Sequence, residues 1–172
     1  MLVVSRDPIF TQRLELRRTH VEDAAAMYEA LRHPEIYPFL PRNAPKDATE
    51  VAARFARVMH ETAPDRTEQW LNWTVWLRQP LTPLGTIEAT VNARNEAAIG
   101  YLFDPRHWRR GYAREAVAAM LDHLRACGAR SFEATIDIRN LASQRLVAAL
   151  DFALERVAGA DQIWRKVSDQ SG

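Results

Sequence analysis

The stretch from Ala98 to Ala116, AIGYLFDPRHWRRGYAREA, decides the fold. Its Ile99–Phe103 segment is apolar and aromatic, which is typical of a buried strand, and Asp104-Pro105 ends that strand. A helix is predicted from about Gly111 to Gly128, because apolar residues recur there at the i, i+3, i+4 and i+7 spacing of one buried face. These residues are Ala113, Ala116, Val117, Met120, Leu121 and Leu124. The stretch therefore predicts a strand, a tight loop and a helix.

A compact basic loop, Arg106–Gly111, connects this strand to this helix. The first turn of a helix presents backbone N–H groups without partners and a partial positive charge. Arginine side chains, and a glycine that lets the backbone approach closely, favour the binding of an anion there. The loop is therefore predicted to hold a phosphate group mainly through backbone N–H groups, and the plainer alternative is a solvated basic turn.

Within this stretch, Trp108-Arg109-Arg110-Gly111-Tyr112-Ala113 resembles motif A of the GNAT superfamily of N-acetyltransferases, Gln/Arg-x-x-Gly-x-Gly/Ala. In that superfamily the backbone amides of the motif hold the pyrophosphate of acetyl-coenzyme A. Trp108 at the first position, with Ile-Gly-Tyr before the loop and Arg-Glu-Ala after it, is similar to the branch that acetylates the N-termini of ribosomal proteins. Arg109 stands where that branch often has glycine. The resemblance implies an acetyl-coenzyme A site that includes Arg109, Arg110, Gly111, Tyr112, Ala113 and Arg114.

Length and composition predict one domain over residues 1–172, with residues 1–10 as a leader of uncertain order. The net charge of +1 gives no overall field that would attract nucleic acid or a membrane. Cys127 is the single cysteine, which excludes an internal disulfide bond and fits the reducing cytoplasm. No apolar run approaches the roughly 18 residues of a membrane span, and no metal ligands are predicted. The expectation is a cytoplasmic protein that binds neither nucleic acid nor membranes.

The rest of the chain predicts the order strand, two helices, three strands, helix, strand, helix and two strands. Thr19-x-x-Glu22 has the form of a capping box for the first helix, and Asp47-x-x-Glu50 opens the second. Short connections predict that the three central strands pair antiparallel, and a helical crossover predicts that the next strand lies parallel to the last of them. The predicted strands are residues 13–17, 70–77, 85–91, 99–103, 132–138, 152–157 and 162–167.

This order is mixed α/β around one sheet, and it is similar to the GNAT order along essentially the whole chain. The resemblance implies the GNAT fold, with one central, mostly antiparallel sheet of about seven strands and about four flanking helices. It also implies that the two strands on either side of the central helix diverge at their ends, with the pantetheine arm of the cofactor between them. A homodimer is a further expectation that rests on the resemblance.

Tyr101, Leu102 and Phe103 lie on the strand before the basic loop. The resemblance implies that the backbone of this strand pairs with the pantetheine amides. It also implies that one N–H group points at the thioester carbonyl, where a donor stabilises the developing oxyanion. The sequence does not identify that N–H group. The alternative, that these are core residues, is compatible with the role because the chemistry would use the backbone.

Asn140 and Ser143 form Asn-x-x-Ser, and Leu150-Asp151-Phe152 follows where the branch commonly has Leu-Gly-Phe. The resemblance implies that Asn140 binds the pantetheine. It places Ser143 near the sulfur, where its hydroxyl can protonate the departing thiolate. The alternative is structural, since asparagine is a good helix N-cap and serine tolerates a first turn.

Three candidate site residues are predicted near the amine acceptor. Glu88 lies between Ile87 and Ala89 on its strand, so its side chain is predicted on the face opposite to these apolar residues. A carboxylate there can act as general base, because an attacking ammonium group must first lose a proton. A solvated strand carboxylate is the alternative. Tyr37 and Phe39 follow the first helix, in the segment that lines the acceptor groove of the family, and core packing is their alternative.

The functional prediction is an acetyl-coenzyme A-dependent N-acetyltransferase in which a primary amine attacks the thioester while both reactants are held together. A protein or peptide N-terminus, an amino acid, a polyamine and an antibiotic amine remain open as acceptors, and the branch resemblance favours a protein N-terminus. A non-catalytic acyl-coenzyme A-binding module is a second hypothesis. A third, nucleic-acid binding through Arg106–Arg110, is disfavoured because the rest of the chain offers no extended basic face.

Overall fold

Eight strands form one sheet in the computed structural model, which describes residues 1–63 and 65–168. The strands are β1 Ile9–Phe10, β2 Leu14–Arg18, β3 Gln69–Arg78, β4 Leu81–Val91, β5 Glu96–Phe103, β6 Ser131–Asp137, β7 Ala153–Ala158 and β8 Asp161–Val167. Their order across the sheet is β1-β2-β3-β4-β5-β6-β8-β7, with β5 and β6 parallel and the other neighbouring pairs antiparallel. The predicted mixed, mostly antiparallel sheet is confirmed. Residue 64 and residues 169–172 of the predicted domain lie outside the described part of the chain.

Four α-helices flank this sheet in the described residues: α1 Ala24–Leu31, α2 Ala48–Val58, α3 Tyr112–Ala126 and α4 Leu141–Ala148. Asp47 caps α2 as predicted, because its carboxylate accepts the Glu50 N–H at 2.9 Å. The capping box predicted for the first helix is wrong. Val21–Asp23 forms a 3-10 turn without a side-chain cap, and α1 begins only after it. The Asp23 carboxylate accepts from the Thr74 hydroxyl on β3 at 3.2 Å, so it points at the sheet and not at the helix end.

Residues 1–10, predicted as a leader, contribute one strand and one core side chain. Ile9–Phe10 pairs with β2 and is the strand beyond the predicted seven. Leu2 is buried, and Gln69 accepts its N–H at 2.7 Å and donates to its carbonyl at 2.9 Å. A strand of two residues has no readable periodicity, which explains why the sequence pattern missed it.

The sheet separates two apolar clusters. The larger cluster joins one face of the sheet to α3 and α4, and α3 buries the face that its spacing predicted. The smaller cluster covers part of the other face, where α1 and α2 pack on Trp76 of β3 and Leu102 of β5. Each large apolar side chain buried in this way contributes about 1.5–3 kcal/mol, so burial is the main force that holds the helices to the sheet.

Strands β5 and β6 stay together over only a short distance. Glu96–Ala98 pairs with Ser131–Glu133, and no pairing between the two strands follows in the described residues. Residues Ile99–Phe103 therefore have β4 on one side and an open edge on the other. This divergence agrees with the splayed strands that the resemblance implied, and it positions the candidate site described next.

Candidate active site

Two residues with left-handed backbone shape the loop before α3. Arg109 has a φ of 62°, and Gly111, the N-cap of α3, has a φ of 78°. Asp151, after α4, has a φ of 63°. A side chain in this region costs about 1–2 kcal/mol, which glycine avoids. Arg109 and Asp151 thus depart from the family pattern at positions whose backbone suits the glycine that is common there.

Four successive backbone N–H groups at the start of α3 are free. The N–H groups of Gly111, Tyr112, Ala113 and Arg114 donate to no acceptor in residues 1–63 and 65–168. The helical ladder begins with the Glu115 N–H, which donates to the Gly111 carbonyl at 3.0 Å. Free N–H groups and the positive end of the helix dipole together suit a ligand with several anionic oxygens.

Arg13, in the turn between β1 and β2, fastens this loop to the sheet. Its guanidinium donates to the Arg110 carbonyl at 3.0 Å, forms an ion pair with Glu115 at 2.6 Å and lies 4.5 Å from the centre of the Tyr112 ring. Glu115 also accepts from the Thr11 hydroxyl at 2.6 Å. Burial acts to raise the pKa of Glu115, but hydrogen bonds from Thr11 and Arg13 outweigh it and hold that pKa below its usual range.

The entry to the loop is fixed by Asp104 and Trp108. Asp104 is fully buried, caps the 3-10 turn Pro105–His107 and accepts from the Arg106 N–H and guanidinium. Burial acts to raise the pKa of Asp104, but the hydrogen bonds from Arg106 lower it overall. The Trp108 indole donates to the Phe103 carbonyl at 2.7 Å. The tryptophan at the first motif position therefore ties the loop to the end of β5.

The open edge of β5 is lined by alternate residues. The backbone N–H of Asp104 donates to the Leu84 carbonyl at 2.9 Å. Because hydrogen-bonded residues alternate along an antiparallel pair, the backbone N–H and C=O groups of Gly100 and Leu102 also point towards β4. A Cβ at Gly85 of β4 would collide with the Leu102 carbonyl, which agrees with that direction. Of the three predicted strand residues, Leu102 is thus paired within the sheet. The backbone N–H groups that face the opening are those of Ile99, Tyr101 and Phe103.

Asn140 and Ser143 lie at the start of α4, and Tyr101 lies on the open part of β5. The Asn140 side chain accepts the Ser143 N–H at 3.1 Å and caps α4, so the structural role named for it is present. The Tyr101 hydroxyl is shielded from solvent and has no hydrogen-bond partner among the described residues. Burial raises the pKa of the Tyr101 phenol, and the neighbouring Ser143 hydroxyl acts in the opposite direction.

Glu88 approaches the same part of β5 from the other face of the sheet. It is paired in register with Gly100, and a Cβ at Gly100 would lie 2.9 Å from Glu88 Oε1. Glu88 Oε2 accepts from the Arg54 guanidinium of α2 at 3.0 Å, and the Glu88 side chain is 41% exposed. The glycine therefore leaves room for a partly exposed carboxylate over the backbone of β5 at Gly100.

Tyr37 and Phe39 have different surroundings. Tyr37 is buried in the smaller cluster, and its hydroxyl donates to the Leu31 carbonyl at 2.7 Å, as the core interpretation requires. Phe39 is half-buried, with the Arg139 guanidinium 5.5 Å from its ring centre. Because Arg139 directly precedes Asn140, Phe39 connects the segment after α1 with the start of α4.

Arg13, Arg54 and the Tyr101 phenol were missed by sequence reasoning. Arg13 and Arg54 act through partners 102 and 34 residues away, and no local spacing reveals such a pair. The strand pattern marked Tyr101 as a core residue but could not show that its hydroxyl lacks a partner.

Two kinds of feature are absent from residues 1–63 and 65–168. No group of three or more His, Cys, Asp or Glu side chains there could hold a metal ion. None of the helices is long and apolar enough to cross a bilayer.

The sequence matches a known family over most of its length. Residues 13–153 match the model described as an acetyltransferase (GNAT) domain. Among known proteins, the chain is similar to the uncharacterized N-acetyltransferase YoaA of Bacillus subtilis (strain 168). The two are 28% identical over 153 residues, which cover 86% of this chain and 83% of that protein.

Solved structures share the fold at lower identity. Mycobacterium smegmatis RimJ in complex with CoA-disulfide has a TM-score of 0.80 and 21% identity, over 96% of this chain and 90% of that one. The ribosomal-protein-S5-alanine acetyltransferase of Vibrio fischeri has a TM-score of 0.80 and 17% identity, over 96% and 99% of the two chains. At these identities the likeness establishes the fold.

Proposed function

Because this chain belongs to the GNAT family of acetyltransferases, we propose that it transfers an acetyl group from acetyl-coenzyme A to a primary amine by direct attack, with both reactants bound. One observation carries the proposal: the free N–H groups of Gly111–Arg114 are joined by the loop of residues 104–110 to a strand whose edge is open. A pyrophosphate suits the first feature, and an arm that contains amides suits the second.

The cofactor is held mainly by backbone in this proposal. The N–H groups of Gly111–Arg114 receive the pyrophosphate oxygens, and the exposed side chains of Arg109, Arg110 and Arg114 add positive charge. The amides of the pantetheine arm pair with the free edge of Tyr101 and Phe103, and Asn140 lies on the opposite wall. The bound cofactor supplies an acetyl group activated as a thioester.

Three groups of the protein then act on the transfer. A backbone N–H on the open edge, that of Tyr101 or Phe103, stabilises negative charge on the carbonyl oxygen. Glu88 takes a proton from the ammonium group through Oε1, the oxygen that Arg54 does not hold. Ser143 donates its hydroxyl proton to the departing sulfur. Much of the rate comes from holding the two reactants in position.

A protein N-terminus is the acceptor that we propose, and two observations support it. RimJ, solved in complex with CoA-disulfide, and the ribosomal-protein-S5-alanine acetyltransferase share the fold. Glu88 is partly exposed on a face that the smaller cluster covers only in part. In the same proposal residues 1–172 act as one acetyltransferase domain in the cytoplasm, where the single Cys127 stays reduced.

An acetylation screen tests the proposal. Labelled acetyl-coenzyme A is offered with N-terminal peptides, amino acids, polyamines and aminoglycosides, and coenzyme A binding is measured separately by calorimetry. Turnover with a peptide N-terminus is the expected result. Coenzyme A binding without turnover on any amine class would favour the acyl-coenzyme A-binding module. Absence of coenzyme A binding would refute the assignment of the loop.

A further inference from the structure

The two strands on either side of the opening end in the same local structure. Asp104 and Arg106 follow β5, and Asp137 and Arg139 stand at the end of β6 with the same spacing. In each pair the carboxylate accepts the backbone N–H of the arginine, at 2.9 and 2.8 Å, and also binds its guanidinium. Hydrogen bonds from Arg139 lower the pKa of Asp137 to about 2, so this carboxylate is charged at neutral pH. Both arginines are therefore held beside the opening, and each guanidinium keeps N–H donors for a further contact.

Arg106 uses a further donor at the end of α1. Its guanidinium donates to the Glu29 carbonyl at 3.0 Å, in the last turn of the helix, where carbonyls have no partner within the helix. His33, two residues beyond α1, lies with Nε2 3.7 Å from Asp104 Oδ1. The Asp104–Arg106 pair thus fastens the chain that leaves α1 to the end of β5.

Arg139 contacts the same segment further along the chain. Its guanidinium carbon lies 5.5 Å from the centre of the Phe39 ring, within the range of a cation–π contact. We call residues 29–39 the strap. Because β5 and β6 stop pairing well before they reach Arg106 and Arg139, the strap connects the two sides of the opening.

The strap lies on the face of the sheet that carries Glu88. Its Leu31 and Tyr37 side chains pack in the smaller cluster together with Leu102 of β5. Leu102 and Gly100 are two residues apart on β5 and so share a face, and Gly100 is paired with Glu88. The strap therefore borders the opening on the side from which an amine would reach Glu88.

We propose that Arg106 and Arg139 are positioning residues that hold the strap across the acceptor side of the opening, and that Arg139, through Phe39, strengthens binding of the amine acceptor. This inference rests on the proposed function, in which the acceptor approaches from the face of Glu88. Ordering a loose segment when a ligand binds costs free energy, so a strap that is already fixed allows tighter binding. Neither arginine transfers a proton in this role, and the chemical step does not depend on them.

The KM for the acceptor tests the role of Arg139. Arg139→Gln removes the charge, Phe39→Leu removes the aromatic ring, and a third variant carries both changes. With an N-terminal peptide of the acetylation screen, we expect Arg139→Gln to raise the acceptor KM by about 2- to 5-fold, the range for a cation over a ring at an exposed site. The kcat and the KM for acetyl-coenzyme A should not change. In the Phe39→Leu background, Arg139→Gln should have no further effect. Arg125→Gln is the matched control, because it breaks an exposed ion pair with Asp122 on α3.

Three kinetic results would overturn the inference. They are an unchanged acceptor KM in Arg139→Gln, an equal rise of the acceptor KM in both backgrounds, and a fall in kcat without a change in the acceptor KM. The last result would assign Arg139 to the chemical step and not to the strap.

Hydrogen exchange, followed by NMR without any ligand, tests whether Arg139 fastens the strap. The Leu40 N–H donates to the Tyr37 carbonyl at 3.0 Å, at the end of the strap that Arg139 holds. We expect Arg139→Gln to speed the exchange of this N–H by about 2- to 5-fold, because local opening becomes easier by the same contact. The Met59 N–H, which donates to the Phe55 carbonyl at 2.9 Å at the end of α2, should keep its rate and so report that the fold as a whole is unchanged.

Arg106→Lys tests the other end of the strap. Lysine keeps a positive charge beside the buried Asp104 but lacks the fork that also reaches Glu29. Exchange of the Arg32 N–H, which donates to the Tyr28 carbonyl at 2.9 Å, should become faster. Unchanged exchange in both variants would overturn the inference. Faster exchange in a protein that acetylates no amine would support the strap and refute the proposed function.

Discussion

The substitution Gly111→Glu separates folding from anion binding at the start of α3. A Cβ at Gly111 would lie 3.5 Å from the Arg13 guanidinium, an ordinary contact, so a side chain has room. The φ of 78° remains, and for any other residue it costs about 1–2 kcal/mol. In a chain of 172 residues this corresponds to a melting temperature that is lower by roughly 2–8 °C. Gly111→Ala has the same backbone cost without the charge and is the matched control.

The effect on binding follows from the position of the new charge. A carboxylate on residue 111 stands about 5 Å from an anion held by the adjacent N–H groups, where two unit charges repel by about 3 kcal/mol at an effective dielectric constant of about 20. Solvent at this exposed loop screens part of that repulsion. Since 1.4 kcal/mol is tenfold in affinity, we expect Gly111→Glu to bind coenzyme A about 10- to 100-fold more weakly than Gly111→Ala.

The assay is calorimetric titration with coenzyme A, after circular dichroism has confirmed that both variants are folded. Parent-like affinity in both folded variants would refute the reasoning, because the anion would then lie away from the first turn of α3. Equal loss of affinity in both variants relative to the parent would assign the effect to backbone geometry and not to charge.

Three further substitutions test neighbouring parts of the site. Ser143→Ala should lower kcat by about 10²–10⁴-fold, the usual range for a general acid, and a kcat within a factor of two of the parent while chemistry limits the rate would contradict that role. Glu115→Gln should lower the melting temperature at pH 7. The folded-state pKa of Glu115 is lowered, so its contribution to stability is present above the ordinary glutamate pKa and is lost as pH falls through the folded value. The parent should therefore lose more of its melting temperature between pH 7 and pH 3 than Glu115→Gln does, and parallel curves would be inconsistent with the ion pair. Arg109→Gly should raise the melting temperature by a few degrees because it relieves a φ of 62°, whereas Arg110→Gly should lower it; a loss in both variants would disprove the strain at Arg109.

The sequence was most informative where one element carries its own signal. The recurrence of apolar residues in α3 and the Asp47 cap of α2 are local patterns, and both are confirmed. The loop before α3 could be predicted because a short strand, a glycine and an amphipathic helix follow one another along the chain between Glu96 and Ala126. Even so, Thr19-x-x-Glu22 failed as a capping box, because Val21–Asp23 forms a 3-10 turn with His20 at its N-cap position and no side-chain cap, and α1 begins only at Ala24.

What could not be predicted depends on contacts between distant segments. The Arg13–Glu115 ion pair joins the turn before β2 to α3, and the Arg54–Glu88 pair joins α2 to β4. In the sequence, the arginines of both pairs look like ordinary surface charges. The direction of a strand backbone is equally invisible in the sequence, because side-chain pattern cannot tell which edge of β5 bonds to β4. The Asp104–Leu84 hydrogen bond and the close approach of Gly85 to the Leu102 carbonyl resolve that point.

The short pairing of β5 with β6 has a consequence for the sheet as a whole. Three residue pairs join a five-strand ribbon, β1 to β5, to a three-strand ribbon, β6 to β8. A ligand whose amides pair with the free half of β5 while its other side meets α4 would act as a strand supplied from outside. The hydrogen-bond ladder of the sheet would then continue through the ligand, beyond the point where β5 and β6 stop pairing. A ligand bound in this cleft would therefore also connect the two ribbons mechanically.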